Sequence, residues 1–478
     1  MFRLCAAVLV ACLVSSTALC AQEAAVRDIG SRRELFVDRW LIDSLKDARL
    51  KLHHPVPREI VLRFDKPWEG QFSAYVTVIK DGDLYRMYYR GWPALDGSGR
   101  RVACTCCAES RDGVHWTRPT LGLYEVCGTR DNNVILANAG AVNHNFCPFL
   151  DTRPGVPKEE RYKAVGGSRK SGLIAFVSAD GIHWKKLRAE PILTQGAFDS
   201  QNLAFWSKAE GCYCAYFRIF YKRKRGISRC TSKDFLTWSE PQRMTYGDTP
   251  LEHLYTNQTQ PYVRAPHLYI ATPARIVFGR TVPTPEQLDD LGVHKSQRNA
   301  CSDGVLLTSR GGTAYDRTFL ESFIRPGPGV KHWTARSNYP ALGIVPTGPA
   351  ELSIYVRRCY AQPTAHMQRL TLRTDGFASV NAGYGGGEMI TKPLTFQGKQ
   401  LDVNVATSAV GSLRVELQDA GGAPIEGYTL ADCRPLIGDF VDRTVAWKQG
   451  ADVSPLAGKP LRIRIVLKDA DLYAIRFH

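Results

Sequence analysis

Apolar and polar positions alternate with period two along most of the chain, in short runs broken by Gly, Asp and Pro, which predicts strands and hairpins. "YVTVIKDGDLYRMYYRG" (75–91) is two such runs joined by Lys-Asp-Gly-Asp, leading into "ESRDGVHW". The plan recurs: "RYKAVGG" (161–167) leads to "LIAFVSADGIHW", and "CYCAYFRIF" (212–220) to "GISRCTSKDFLTW". "PHLYIATPAR" (266–275) leads to "DGVLLTSRGGTAY", and "ELSIYVRRCY" (351–360) to "MQRLTLRTDGF". Helical periodicity is nearly absent, and only "TPEQLDDLGV" (284–293) predicts a short helix.

Five copies of one plan are therefore present. From Gly113 to Gly376, four intervals cover 263 residues, a length that suits a four-stranded antiparallel blade with loops. The repeated Ser-x-Asp-Gly is turn chemistry: Ser and Asp bond the backbone ahead of them and Gly accepts a positive φ. The tryptophan that follows is expected to pack on the neighbouring blade, which makes His115 and His183 structural. The expected fold is all-β, a five-bladed β-propeller over residues 51–380 followed by a C-terminal β-sandwich over 381–478. The latter rests on the alternation in "QLDVNVATSAVGSLRVELQD" and "PLRIRIVLKDADLYAIRFH" after the glycine-rich stretch 381–388. Residues 22–50 form a lead, in which "RELFVDRWLID" (33–43) is expected to close the ring.

Composition adds compartment and partner. "MFRLCAAVLVACLVSSTALCAQEAA" has one basic residue, an apolar run and small residues, the pattern of a signal peptide cut near residue 21. A soluble exported protein, periplasmic or extracellular and without a membrane span, is expected. Without Arg3, 61 basic residues face 46 acidic ones. For an exported chain this surplus points to an anionic polysaccharide rather than nucleic acid. Eleven cysteines lie beyond the leader. "CTCC" and "CYC" lack the Cys-x-x-Cys spacing of a zinc site, so buried thiols or one or two disulfides are expected, with no metal and no cofactor.

In a propeller the innermost strands begin at a central funnel, so the residues just before them converge. Those segments offer Trp68 and Glu69, then His144, then Asp199 and Asn202. Glu252, His253, Tyr255 and Asn257 follow, with Arg264 nearby, and finally Trp333 and Arg336. Three carboxylates at equivalent places suit glycosidic bond cleavage, which needs one carboxylic acid to protonate the leaving oxygen and a second carboxylate as nucleophile or base. Aromatics would stack on sugar rings, and Asn, His and Arg would read hydroxyls or anionic groups. Asp303 and Glu321 are reserve acids.

The "DGDLYRMYYRGW" and "SRDGVHW" elements resemble the blade repeats of the five-bladed propeller glycoside hydrolases, the superfamily of families 32, 43 and 68. "PWEG", "FDSQNLAFW", "RAPH" and "DADLYA" resemble segments of a group of exported bacterial proteins. The superfamily resemblance implies a glycoside hydrolase with Glu69 as base or nucleophile, Asp199 as transition-state stabiliser and Glu252 as general acid. The family-32 "NDPNG" and "RDP" motifs are missing, which keeps a non-catalytic carbohydrate-binding propeller as the alternative.

Overall fold

The structure, a computed structural model, describes residues 26–93 and 102–478, so the expected signal peptide lies outside the described residues. The chain is almost entirely β. Each sequence copy forms an antiparallel unit. Ala74–Asp81, Leu84–Gly91, Cys104–Ser110 and Val134–Leu136 pair in order. Cys147–Leu150 to Lys185–Lys186 make a second four-stranded sheet, and Leu203–Ser207 to Gln242–Arg243 a third. The fourth unit is Thr259–Tyr262, Ala265–Ala271 and Leu307–Ser309, and it carries an inserted hairpin, Ala274–Phe278 with Ala300–Gly304. The fifth is Asn338–Gly348, Glu351–Arg358 and His366–Arg373. The first strands of these units touch one another in succession, and the circle closes where Leu342 pairs with Thr77.

The ring-closing strand differs from expectation. Val56–Arg63 pairs with His366–Arg373 and completes the fifth unit, while Arg33–Leu35 pairs with residues 474–476 of the other sheet. Both segments alternate, but Ile29, Phe36, Leu41 and Ile42 are buried in the C-terminal core, where they have apolar partners.

That second body is one ten-stranded sheet organised on two long strands, Leu401–Asp419 and Leu461–Phe477. Its interior side chains, among them Val415, Trp447 and Ile465, are fully buried. The glycine-rich stretch at 381–388 is part of this sheet, because Ala378–Ala382 and Gly387–Thr391 flank a tight turn and both pair with Leu461–Phe477. The one helical expectation holds as Pro285–Asp290, begun by Thr284 and Gln287 in a reciprocal cap.

The repeated turns explain how the units dock. In the first, Gly113 N–H donates to Ser110 Oγ at 2.9 Å, and the amides of Val114 and His115 donate to Asp112 Oδ1 at 2.8 Å. The turns at 178–184 and 232–238 repeat this. Trp116 packs edge-on against Tyr355 of the fifth unit and Trp184 against Tyr88 of the first. His115 and His183 point outward, and among the described residues their rings bond only the turn aspartates, each at 2.7 Å.

The axis is stopped at mid-depth. Gln201 Nε2 donates to Val76 O at 3.1 Å and Thr77 Oγ1 at 3.0 Å, and lies 3.6 Å from Cys147 Sγ. Gln258 Nε2 donates to Gln201 Oε1 at 2.9 Å and Pro340 O at 2.8 Å. These two amides tie all five inner strands together. Beyond them the far end opens into a mostly apolar cavity of about 510 Å³, lined by Phe149, Phe205, Tyr262 and Ile344 among others.

Candidate functional site

Side chains converge on the face where the inner strands begin. Tyr75, Tyr255, Tyr339 and Tyr360 form a buried aromatic floor, with Tyr255 and Tyr339 rings 5.1 Å apart. Arginines lie over it. Arg90 sits 4.8 Å from the Tyr75 ring, Arg218 5.1 Å and Arg336 4.7 Å from Tyr255, and Arg357 4.4 Å from Tyr360. Arg90 Nη1 is 3.0 Å from His144 Nδ1. Burial, then Arg90, Arg336 and Arg218, push the His144 imidazole down to about 3, so it is neutral near pH 7. Burial works to raise the Tyr360 phenol, yet Arg90, Arg336 and Arg357 hold it below the usual range.

The backbone is strained on this face. Tyr75, Gln258 and Arg336 have φ of 55°, 51° and 59°, and Cys359 and Ala361, on either side of Tyr360, have 54° and 59°. Non-glycine residues reach this left-handed region at a cost and do so mainly where surrounding contacts hold a functional geometry.

The expected residues divide. His144, Asp199, Tyr255 and Arg336 come together here. The Asp199 side chain is 70% exposed and ion-paired with buried Arg218. His253 stands at the rim, its Nδ1 accepting from the Arg225 amide at 3.3 Å and its ring 5.1 Å from Phe278.

Glu69 does not join them. Its side chain has no exposed surface and accepts from Tyr89 Oη at 2.6 Å and from Arg118 Nε at 2.8 Å, so no substrate can reach it. Trp68 beside it is buried and donates to Asn133 Oδ1 at 2.7 Å. Glu252 lies between Arg275 at 2.9 Å and Arg317 at 2.5 Å in a cleft that Arg225 also lines. Asp303 takes the other side of Arg275 at 2.6 Å. Glu321 is exposed.

Asn202 and Asn257 are buried and hold their own loops, Asn202 by donating to Phe198 O and Ser200 O at 3.0 Å, Asn257 by accepting from Thr259 N at 3.2 Å. Trp333 donates to Gly327 O at 3.0 Å. Arg264 lies between the two bodies, bonded to Asp442 at 2.9 Å and 3.5 Å from Asp375.

Arg90, Arg218, Arg225, Arg357, Tyr75, Tyr339 and Tyr360 were not anticipated. For Arg90, Arg218 and Arg357 a signal was available: "YYRG", "YFRI" and "YVRR" stand from the middle onward in three second strands, which run back to the funnel face. All eleven described cysteines are free thiols, and only Cys127 is exposed. Among the described residues no group of three His, Cys, Asp or Glu could hold a metal ion, and no helix is long and apolar enough to cross a membrane.

No family model and no curated protein matches the chain. Solved structures similar to it include a glycoside hydrolase at 13% identity, covering 67% of this chain and 92% of the other with a TM-score of 0.43. An N-acetylgalactosamine deacetylase from F. plautii in complex with blood group B trisaccharide is 12% identical, over 68% and 95%, at 0.43. A fructofuranosidase from Schwanniomyces occidentalis complexed with fructosylnystose is 9% identical, over 88% and 96%, at 0.38.

Proposed function

We propose that the chain is an exported glycoside hydrolase that cleaves glycosidic bonds at the chain ends of a plant or algal polysaccharide. The observation that carries this is the convergence at the inner-strand starts of an exposed carboxylate, Asp199, with His144, Arg336 and a tyrosine floor. Aromatic faces suit sugar rings, and the stopped axis supports action on ends. Hydrolysis needs two carboxyl groups. Asp199 is one, and Glu252, on the cleft shared with Arg225, is assigned as the second.

A product screen of purified protein against neutral and anionic glycans tests this. Asp199→Asn and Glu252→Gln should each lower product release by at least about a hundredfold, as loss of general acid or base catalysis does. Full activity in both variants sinks the assignment. The grip of Arg275 and Arg317 on Glu252 favours a second reading, recognition without cleavage, for which saturable glycan binding with no product from the wild type would be the result.

A further inference from the structure

Arginines elsewhere in the ring are commonly matched to carboxylates. Arg118 has Glu69, Arg229 has Glu210, Arg275 has Glu252 and Asp303, and Arg369 has Glu59 and Glu351. Arg357 is satisfied differently, by the carbonyls of Ser73, Gln71 and Arg358. The funnel breaks this habit. Arg90, Arg218, Arg225 and Arg336 lie together there, and among the described residues their only carboxylate is Asp199, on Arg218. Among the described residues, the Nε atoms of all four and Nη1 of Arg218 are buried without an acceptor. His144 packs among them as a neutral ring. A buried cation without a counter-charge is costly, and grouping several raises that cost.

The rim adds shape. Arg225 lies between Phe220 and Phe278, 5.6 and 5.2 Å from their rings, and these phenyl groups are 57% and 50% exposed. Flat apolar faces on either side of an unpaired guanidinium suit a sugar ring bearing an anionic group.

We infer that the funnel is an anion subsite, and that the sugar it takes carries a carboxylate or sulfate held by Arg225 and Arg336 above Arg90 and Arg218. Both groups fit the fork of guanidinium donors. The inference rests on the reading of the funnel as a saccharide site and names that saccharide's class.

Affinity electrophoresis of the full chain at fixed ionic strength tests it with matched polymers: polygalacturonate against its methyl ester, and a sulfated galactan against its desulfated form. At least one charged member should bind about tenfold or more tightly than its neutral partner, and which one separates carboxylate from sulfate. Arg336→Gln and Arg225→Gln should each weaken that binding about tenfold, as loss of a charge-assisted bond does. Lys222→Gln and Arg223→Gln, at an exposed hairpin tip, should change it less than about twofold. Equal losses from all four variants would reveal attraction by net charge alone and overturn the subsite. So would equal binding of charged and neutral polymers, or displacement by inorganic sulfate at the concentration at which the sulfated galactan itself competes. Should Arg336→Gln fail to fold, Arg225→Gln at the rim decides. The assay does not read cleavage, so a negative result leaves the hydrolase reading standing, and absence of product from every glycan leaves the anion result standing.

Discussion

Arg118 donates to both oxygens of Glu69 at 2.8 and 2.9 Å inside a pocket closed by Tyr89. Removing one partner from such a pair strands the other charge. Glu69→Gln is therefore expected to cost about 3 kcal/mol or more of stability, read by chemical denaturation, with hydrolysis per folded molecule unchanged. A loss of turnover without a loss of stability would return Glu69 to the chemistry. From the sequence Glu69, Asp199 and Glu252 are indistinguishable, each an acid just before an inner strand. Each is held by an arginine, Arg118, Arg218 and Arg275 with Arg317 in turn, and what separates them is exposure, since the Glu69 side chain has none, Glu252 is 27% exposed and Asp199 is 70% exposed, which spacing does not report. Two of the funnel arginines were legible in principle, since an arginine directly after an aromatic residue recurs in two second strands as Tyr89-Arg90 and Phe217-Arg218.

At the scale of elements, the Ser-x-Asp-Gly turn shows why its glycine is kept in two copies and not in the third. Gly181 has φ of 76°, and a Cβ there would stand 2.5 Å from Tyr88 Oη of the preceding unit. Gly181→Ala is expected to destabilise by about 2 kcal/mol through left-handed strain and that clash, read as a lower denaturation midpoint. An unchanged midpoint would mean the units are not docked through this turn. In the third copy Phe235 takes the same position at φ 69°, its buried ring against Phe149 and Tyr213, so packing there offsets the strain. The five copies and their turns were readable because each is a local pattern. The ring-closing strand was not, because "RELFVDRW" and "VPREIVLR" alternate alike and their partners lie hundreds of residues away.

For the whole molecule, burial lowers several imidazoles among the described residues, most strongly His144 and His332, pushed down to about 3, and His366, to about 4. The unfolded chain takes up these protons near pH ~6.5, whereas the folded chain refuses them until far lower. Their contribution to stability is therefore complete above about pH 6.5 and falls progressively as the pH drops toward 4 and 3. Denaturation midpoints measured stepwise from neutral pH downward should decline through that window, and less steeply in His332→Asn. A flat profile would show that these rings are open to solvent.

The paired amides of Gln201 and Gln258 carry a last consequence. Because they stitch the five inner strands shut at mid-depth, the funnel is a cul-de-sac: a polymer cannot be threaded from one side of the molecule to the other. A ligand that entered the funnel would leave through the same opening.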